Sequence, residues 1–383
     1  MYQLLLVCGT LSLLAWLYLL FFHGRFWQVS RLQSQTLPAT SINGTIAVII
    51  PARDEANNIG RAVRSLLAQS CANVLQIYVV DDNSTDGTAD AARAAVSGSD
   101  QERLHIISGR PLQPGWTGKL WAVQQGIDAA LEANPQFLLL TDADVEHAPE
   151  NIATLAAIAE RDGFDLVSFM VKLHCQSAAE KLLIPAFVFL FFMLYPPLWI
   201  RSPKRKAAGA AGGCILIRPQ ALALAGGINS IRHEVIDDCA LAGAVKRTGG
   251  RVWLGLTPNT HSFRRYESFG EIERMIARTA FNQLGHSILL LLGAVVGMAL
   301  LYLLPSMLLG TRDARLVALG AAAYILMIAT YLPMVRFYDL GAAWALTLPL
   351  SAIFYIGATL DSALKFWSGR GGEWKGRAQD RSS

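Results

Sequence analysis

"FLLLTDADVEHAP" occupies Phe137–Pro149, and in it an uninterrupted apolar run stops at two aspartates one residue apart, Asp142 and Asp144. An unpaired buried carboxylate costs several kcal/mol. The end of this expected strand therefore needs a partner: a metal ion, a helix N-terminus or water. The same pattern recurs upstream. "TIAVIIPARDE" (Thr45–Glu55) reads as a strand entering a polar turn, and "LQIYVVDDNSTDGTAD" (Leu75–Asp90) as a second strand, followed by an Asp/Ser/Thr-rich loop and a helix from about Thr88. "LHIISG" (Leu104–Gly109) is a short third strand and "QFLLLTDAD" (Gln136–Asp144) the fourth. Between them, "NNIGRAVRSLLAQ" (Asn57–Gln69) spaces Ile59, Val63, Leu66 and Leu67 along one helix face, with Asn57 placed as the cap. "LWAVQQGIDAALEA" (Leu120–Ala133) is a further helix.

This alternation predicts an α/β fold: a mainly parallel sheet with helices on both faces. Ligands of such sheets bind beyond the carboxyl ends of the strands. Arg53, Asp54 and Glu55 follow the first strand, Asp81 and Asp82 the second, and Asp142 and Asp144 the fourth. Carboxylates gathered on one edge repel one another unless a cation sits among them. Mg²⁺ or Mn²⁺ suits such a place, taking one or two carboxylates together with phosphate oxygens and water. Asp-x-Asp alone is common in ordinary turns, so the metal reading leans on the other clusters.

Of the 383 residues, 53% are hydrophobic and 16% charged, with a mean hydropathy of +0.35. Soluble domains carry about 25% charged residues, so part of this chain is expected in lipid. Leu4–Phe22 has no charge and is long enough to cross about 30 Å of hydrocarbon. It lacks a basic start and a small-residue cleavage site, which makes residues 1–24 a retained anchor. Arg25 and Arg31 follow, placing the next segment in the cytoplasm by the positive-inside rule. A polar, mixed domain spans 45–281, a bundle with apolar stretches Ser287–Gly310, Leu316–Val335 and Leu340–Leu364 spans 285–366, and a basic tail occupies 367–383.

"LLIPAFVFLFFMLYPPLWI" (Leu182–Ile200) is also uncharged and long enough to span. It lies between the Asp142/Asp144 block and a second acidic pair, Asp237/Asp238, and one crossing there would put the two on opposite sides of a membrane. Pro185, Pro196 and Pro197 weaken a straight span as well, so residues 182–200 are expected to be interfacial or re-entrant. Spans at the N-terminus and the three C-terminal stretches would leave the C-terminus outside, against Lys365, Arg370, Lys375 and Arg377; the topology of the C-terminal spans stays open. The net charge of +4, without a basic stripe, argues against nucleic acid. Cys8, Cys71, Cys175, Cys214 and Cys239 have no paired spacing, which disfavours a zinc site or disulfide framework and suits a reducing compartment.

Six blocks, in order, resemble the family 2 glycosyltransferases of the GT-A fold: "VIIPARDEANNI", "VVDDNSTDGTAD", "TGKLWAVQQG", "LLTDADVEHAP", "AAGGCILIRPQAL" and "VIDDCALAGAVKRTGGRV". Together they cover roughly Ile46–Gly255. "GWTGKLWA", the multi-span C-terminal region and the ending "GGEWKGR" (Gly371–Arg377) resemble the membrane-bound, hopene-associated group of that family. The resemblance implies inverting transfer of one sugar from a nucleotide-diphospho-sugar, the family's commonest nucleotide being uridine, to a membrane lipid such as a hopanoid. It implies a multi-pass protein of the bacterial cytoplasmic membrane with its catalytic domain facing the cytoplasm. By position, Pro51, Arg53 and Glu55 line the nucleotide pocket, Asp82 meets base or ribose, and Lys119 neutralises phosphates. Asp142 and Asp144 face the Mn²⁺ or Mg²⁺ ion and the diphosphate, with Asp144 the direct ligand. Asp238, beside Asp237, is the general base, and Gly212, Gly213 and Cys214 lie on the acceptor side. The family's Glu-Asp is here Asp237-Asp238, so that assignment rests on register. The Gln-x-x-Arg-Trp motif of processive members is absent; "RTAFNQLGHS" (Arg278–Ser287) takes its place, with Arg278 and Gln283 as candidate diphosphate contacts.

Plainer readings compete with these. Asp81 and Asp86 suit an Asx turn, and Asp54 and Glu55 suit a helix first turn. His147 and His233 read as structural, Cys214 and Cys239 as packing residues, and Lys204–Lys206 as a loop facing acidic headgroups. Lys119, at a helix start, would ordinarily face solvent. Two other functions stay open: nucleotidyl or phosphoryl transfer on a similar sheet, and a non-catalytic membrane scaffold.

Overall fold

The computed structural model describes residues 1–32, 44–71, 75–369, 373–374 and 377–378. Most of the "GGEWKGR" ending and of the basic tail lies outside them. The chain forms two compact units. Among the described residues, one contains those of Leu32–Leu173 and Trp199–Arg264, and the other those of Met1–Arg31, His174–Leu198 and Arg265–Gly372. Residues 265–281, which the sequence suggests belong to the polar domain, thus cluster with the helical unit.

The first unit is built on an eight-stranded sheet. Its strands are β1 (Ile46–Ala52), β2 (Leu75–Asp81), β3 (Leu104–Ser108), β4 (Phe137–Leu140), β5 (Val145–Glu146), β6 (Leu166–Lys172), β7 (Ile215–Ile217) and β8 (Val252–Ser262). The order is β3-β2-β1-β4-β7-β6-β8-β5. β1 pairs in parallel with β2 (Ile46↔Leu75 to Ala52↔Asp81) and with β4 (Ile46↔Phe137 to Ile49↔Leu140). β7 runs antiparallel to both β4 and β6, while β6 and β8 are parallel. The carboxyl ends of β1, β2, β4 and β8 and the amino end of β7 therefore share one edge. Strand order reverses beside β1, between β2 and β4, and such a switch point is where open α/β sheets take ligands.

Val48, Ile50, Val79, Leu139, Val167 and Leu216 from the strands form one buried core with Ile59, Val63 and Leu66 of helix Ala56–Leu67 and Leu155 and Ile158 of helix Asn151–Asp162. β1 is buried at every position, as expected of a central strand covered on both faces. On helix Gly118–Leu131, a Cβ on Gly126 would lie 2.6 Å from Ile49 and 3.0 Å from Val80. Only glycine lets that helix approach the sheet so closely.

Two local expectations change. The helix after β1 begins at Ala56 with Glu55 in the cap position, not at Asn57. Its free amides are served from the next loop instead: Ala56 N donates to Asp86 Oδ2 (2.9 Å) and Glu55 N to Thr88 Oγ1 (2.9 Å). Thr85 N donates to Asp54 Oδ1 (2.9 Å), and Asp54 itself sits at φ +50°. Asp54 and Asp86 thus stitch the loops after β1 and β2 together. The fourth strand stops at Leu140, so Asp142 and Asp144 lie in the turn between β4 and β5.

Among the described residues five helices are long and apolar enough to cross a membrane: Tyr2–Phe21, Ala178–Arg201, Ile288–Leu309, Ala314–Phe337 and Ala342–Trp367. Inside the helical unit, side chains donate to backbone carbonyls near two prolines. The third of these helices passes through a π turn, Ala299–Leu303, just before Pro305. Proline has no N–H to donate, which strands the carbonyls one turn earlier. Trp16 Nε1 donates to Leu301 O (2.9 Å) and Ser12 Oγ to Leu300 O (2.8 Å). Beside Pro185, Ser351 Oγ and Tyr355 OH donate to Leu182 O (2.8 Å) and Leu183 O (2.7 Å). Helix Ala178–Leu194 opens with a capping box, in which Ser177 and Glu180 bond each other's backbone amides. The buried Glu180 also accepts from Tyr266 N (2.7 Å), tying in the chain that follows β8.

Candidate active site

At the switch point the lysine on helix Gly118–Leu131 turns inward. Thr117 caps this helix, its hydroxyl accepting from Leu120 N, which starts the helix two residues before Leu120 and puts Lys119 in its first turn. Lys119 Nζ lies 3.1 Å from Asp142 Oδ1 and 3.1 Å from Asp237 Oδ2. It therefore bridges the turn after β4 and the first turn of helix Asp237–Arg247, rather than facing solvent. Burial works against its charge, but the carboxylates of Asp142, Asp237 and Asp238 outweigh that and hold its pKa well above the usual lysine value.

Asp238 accepts from Gly212 N through Oδ2 (2.8 Å) and from its neighbour Cys239 N through Oδ1 (2.7 Å). Burial, then the adjacent Asp237, push its pKa up to about 6, against the pull of Lys119 and of the two amides. A carboxylate in that state takes and releases a proton near neutrality, which a general base requires. Pro51, Lys119, Thr141, Asp142, Gly212, Asp237 and Asp238 line one cavity, walled otherwise by apolar residues such as Leu120, Ile228 and Ile231. A Cβ on Gly212 would stand 3.5 Å from Asp238 Oδ2, 3.5 Å from Lys119 Nζ and 3.9 Å from Asp142 Oδ2, so its bare Cα marks the centre of the group.

A second cluster lies alongside. Arg264, just past β8, reaches Asp144 Oδ2 and Glu55 Oε1, each at 3.8 Å. Ser262 Oγ donates to Asp144 Oδ2 (3.3 Å). Burial, and next Asp142, raise the pKa of Asp144 to about 6; Arg264 opposes this and Glu55 adds to it. Arg264 carries no motif, but it ends a strand that runs in the sense of β4, and the same edge rule that marks Asp142 would have marked it. A third pair, Arg53 and Asp82, joins the ends of β1 and β2: Arg53 Nη1 donates to Asp82 O (2.6 Å) and stands 3.7 Å from Asp82 Oδ2.

The remaining candidates fall elsewhere. A Cβ on Gly213 would meet Val171 (3.2 Å) and Val145 (3.4 Å), so this residue packs into the core side of its turn. Cys214 is fully buried, and burial pushes its thiol up to about 12, which makes it a packing residue. His147 is buried and held neutral, its pKa lowered to about 4 by burial, with Thr141 and Asn151 as partners. Arg278 and Gln283 belong to the helical unit, where Gln283 Oε1 accepts from Tyr195 OH (2.8 Å). Among the described residues no three His, Cys, Asp or Glu side chains are grouped to hold a metal ion by themselves.

This edge, with its switch point and acidic turn, belongs to a GT-A sheet, the architecture of nucleotide-diphospho-sugar transferases. Residues 47–224 match the family described as glycosyl transferase family 2. A mannosyltransferase from Pyrobaculum calidifontis, solved with GDP-Man and Mn²⁺, has the same fold: 17% identity, a TM-score of 0.54, and 95% of this chain aligned to 99% of that one. The undecaprenyl-phosphate 4-deoxy-4-formamido-L-arabinose transferase of Proteus mirabilis is 29% identical over 125 residues, 32% of this chain and 35% of that protein. An uncharacterized protein of Methanocaldococcus jannaschii is 29% identical over 121 residues, 32% of this chain and 44% of that one. The chain thus spans well under half the length of these curated relatives.

Proposed function

We propose that the protein is a membrane-embedded, inverting glycosyltransferase that moves a single sugar from a nucleotide-diphospho-sugar to the hydroxyl of a lipid. The observation that carries this reading is the Lys119 bridge, 3.1 Å to Asp142 and 3.1 Å to Asp237, which joins the donor-side turn to the acidic pair proposed to act on the acceptor. Asp238, held by the Gly212 and Cys239 amides, takes the proton of the acceptor hydroxyl as that oxygen attacks the anomeric carbon. The diphosphate leaves from the opposite face. One base and no enzyme nucleophile give a single displacement, hence inversion. Arg53, Asp82, Pro51 and Glu55 receive the nucleoside, and Lys119 and Arg264 face the departing negative charge.

The residues fit a divalent cation. Asp142 and Asp144 share one turn, and Asp144 binds a proton more tightly because of burial, Asp142 and Glu55, a strain that a cation relieves. Mn²⁺ or Mg²⁺ needs only one or two protein carboxylates when phosphate and water complete its shell. When bound, such an ion neutralises charge on the leaving diphosphate.

The helices long and apolar enough to span support a multi-pass protein of the bacterial cytoplasmic membrane, and the lipid-phosphate substrate named for the Proteus relative supports a lipid acceptor. A carboxylate base at Asp238 favours a hydroxyl over a phosphate, since an ionised phosphate oxygen attacks without proton removal. The resemblance to the hopene-associated group makes a hopanoid the proposed lipid and uridine the proposed nucleotide. Mass spectrometry of lipids from cells with and without the gene tests this. A missing hexosyl-hopanoid is the expected result; a missing sugar-phosphate lipid would move the acceptor to the relatives' class. An unchanged lipid profile, also unaffected by Asp144→Ala and Asp238→Ala, would favour a scaffold. Hydrolysis of nucleoside triphosphates but of no nucleotide-sugar would favour nucleotidyl transfer.

A further inference from the structure

Buried polar side chains from several parts of the sheet unit all act on one short turn. Ser168, on β6 and fully buried, accepts from Ala211 N (2.9 Å) and donates to Cys214 O (3.0 Å). Thr141, at the end of β4 and 3% exposed, donates to Gly213 O (2.8 Å). Its hydroxyl direction is fixed from behind. Asn151 Nδ2 can only donate, so His147 Nδ1 accepts from it (3.0 Å) and the ring proton sits on Nε2. That N–H in turn donates to Thr141 Oγ1 (2.9 Å), leaving the threonine proton for Gly213 O. The far side of the same turn presents Gly212 N to Asp238 Oδ2 (2.8 Å).

Buried hydroxyls and imidazoles cost free energy that valine or leucine would not. Here that cost goes into fixing residues 211–214, a turn whose outer amide grips the carboxylate assigned as base. We propose that Thr141, backed by His147, and Ser168 form an internal clamp that positions Asp238 by holding the Ala211–Cys214 turn. They are positioning residues that act on Asp238 through this turn, the Thr141 hydroxyl being turned to Gly213 O, and the proposal rests on the reading of Asp238 as the base.

The test uses the full chain, returned to cells lacking the gene, with the gene-dependent lipid measured per molecule of protein and the melting midpoint taken on purified samples. Thr141→Val removes the hydroxyl at nearly constant volume. It should lower output about tenfold or more, as displacement of a reacting group does, with midpoint and protein level near wild type. Thr141→Ser should restore output. Ser168→Ala should lower output in the same sense, and it decides the matter if Thr141→Val does not accumulate. Wild-type output from both variants, while Asp238→Ala abolishes the lipid, overturns the clamp and leaves the reading of function standing. A loss that only tracks protein level or midpoint overturns it too, by reducing the network to a fold support. Retained output in Asp238→Ala sinks the functional reading itself.

Discussion

The two compact units use buried polarity to opposite ends. In the helical unit, polar side chains serve backbone carbonyls: Trp16 and Ser12 supply Leu301 and Leu300, one turn before Pro305, and Ser351 and Tyr355 donate to Leu182 and Leu183 near Pro185. These four bonds pair neutral donors with carbonyls and involve no charged side chain. In the sheet unit, Lys119, Asp142, Asp144, Asp237 and Asp238 stand together with more negative than positive charge, and two of the carboxylates have pKa values raised to about 6. Those groups are kept at some expense to stability and become useful when a cationic or proton-bearing ligand arrives. Polar groups that close a defect support the fold, whereas polar groups left in excess await chemistry, so substitutions in the two regions should separate stability from turnover.

The hardest way to break that contrast is Asp238→Ala. It should reduce transfer by about a thousandfold, within the range for a general base, and leave the melting midpoint equal or higher; a fall in midpoint with transfer retained would reverse the assignment. Next, Asp144→Ala should weaken Mn²⁺-dependent UDP binding by about ten- to a hundredfold, the scale of metal-site substitutions. Calorimetry reads this directly, and wild-type UDP affinity indifferent to Mn²⁺ and Mg²⁺ would remove the cation from the site.

Acidity sharpens the comparison. If Asp238 is the base it must be ionised, so turnover should fall as pH drops through about 6, where it takes up its proton. Lys119→Met removes a charge that favours the ionised form, and should move this acid limb to higher pH with about a tenfold loss at neutrality. Stability has the opposite sign. Native Asp144 and Asp238 titrate near 6, against 3.8 for an ordinary aspartate, so between those values the folded state binds more protons and unfolding becomes easier as pH rises. The smallest expected effect lies in the helical unit. Trp16→Phe, which loses the donor to Leu301 O, should cost about 1 kcal/mol, visible as a lower midpoint, with turnover per folded molecule unchanged.

Much of this was legible in the sequence because strand periodicity and turn chemistry are local. β1 to β4 and the helices between them follow from apolar spacing, and the edge rule put Asp82, Asp142 and Asp144 where they lie. What escaped depends on distant chain. Asn57 looked like a cap, yet Asp86 and Thr88, about thirty residues on, supply the acceptors. The resemblance put Lys119 at the phosphates, but its helix-start position alone suits solvent, because its partners come from the turn after β4 and from Asp237. Arg264 is more than a hundred residues from the Asp144 it balances. The antiparallel insertion of β7 between β4 and β6 leaves no mark in three apolar residues.

The carbonyls beside Pro305 have a last consequence. A helix carrying two bare acceptors is a poor guest in hydrocarbon, and here the donors that cover them come from Ser12 and Trp16, almost three hundred positions earlier in translation. The N-terminal segment is thus less a tether than a matched half of a joint, complete only once its counterpart has been made. Swapping it for an unrelated greasy anchor would preserve tethering and still leave the assembled bundle with an unhealed seam.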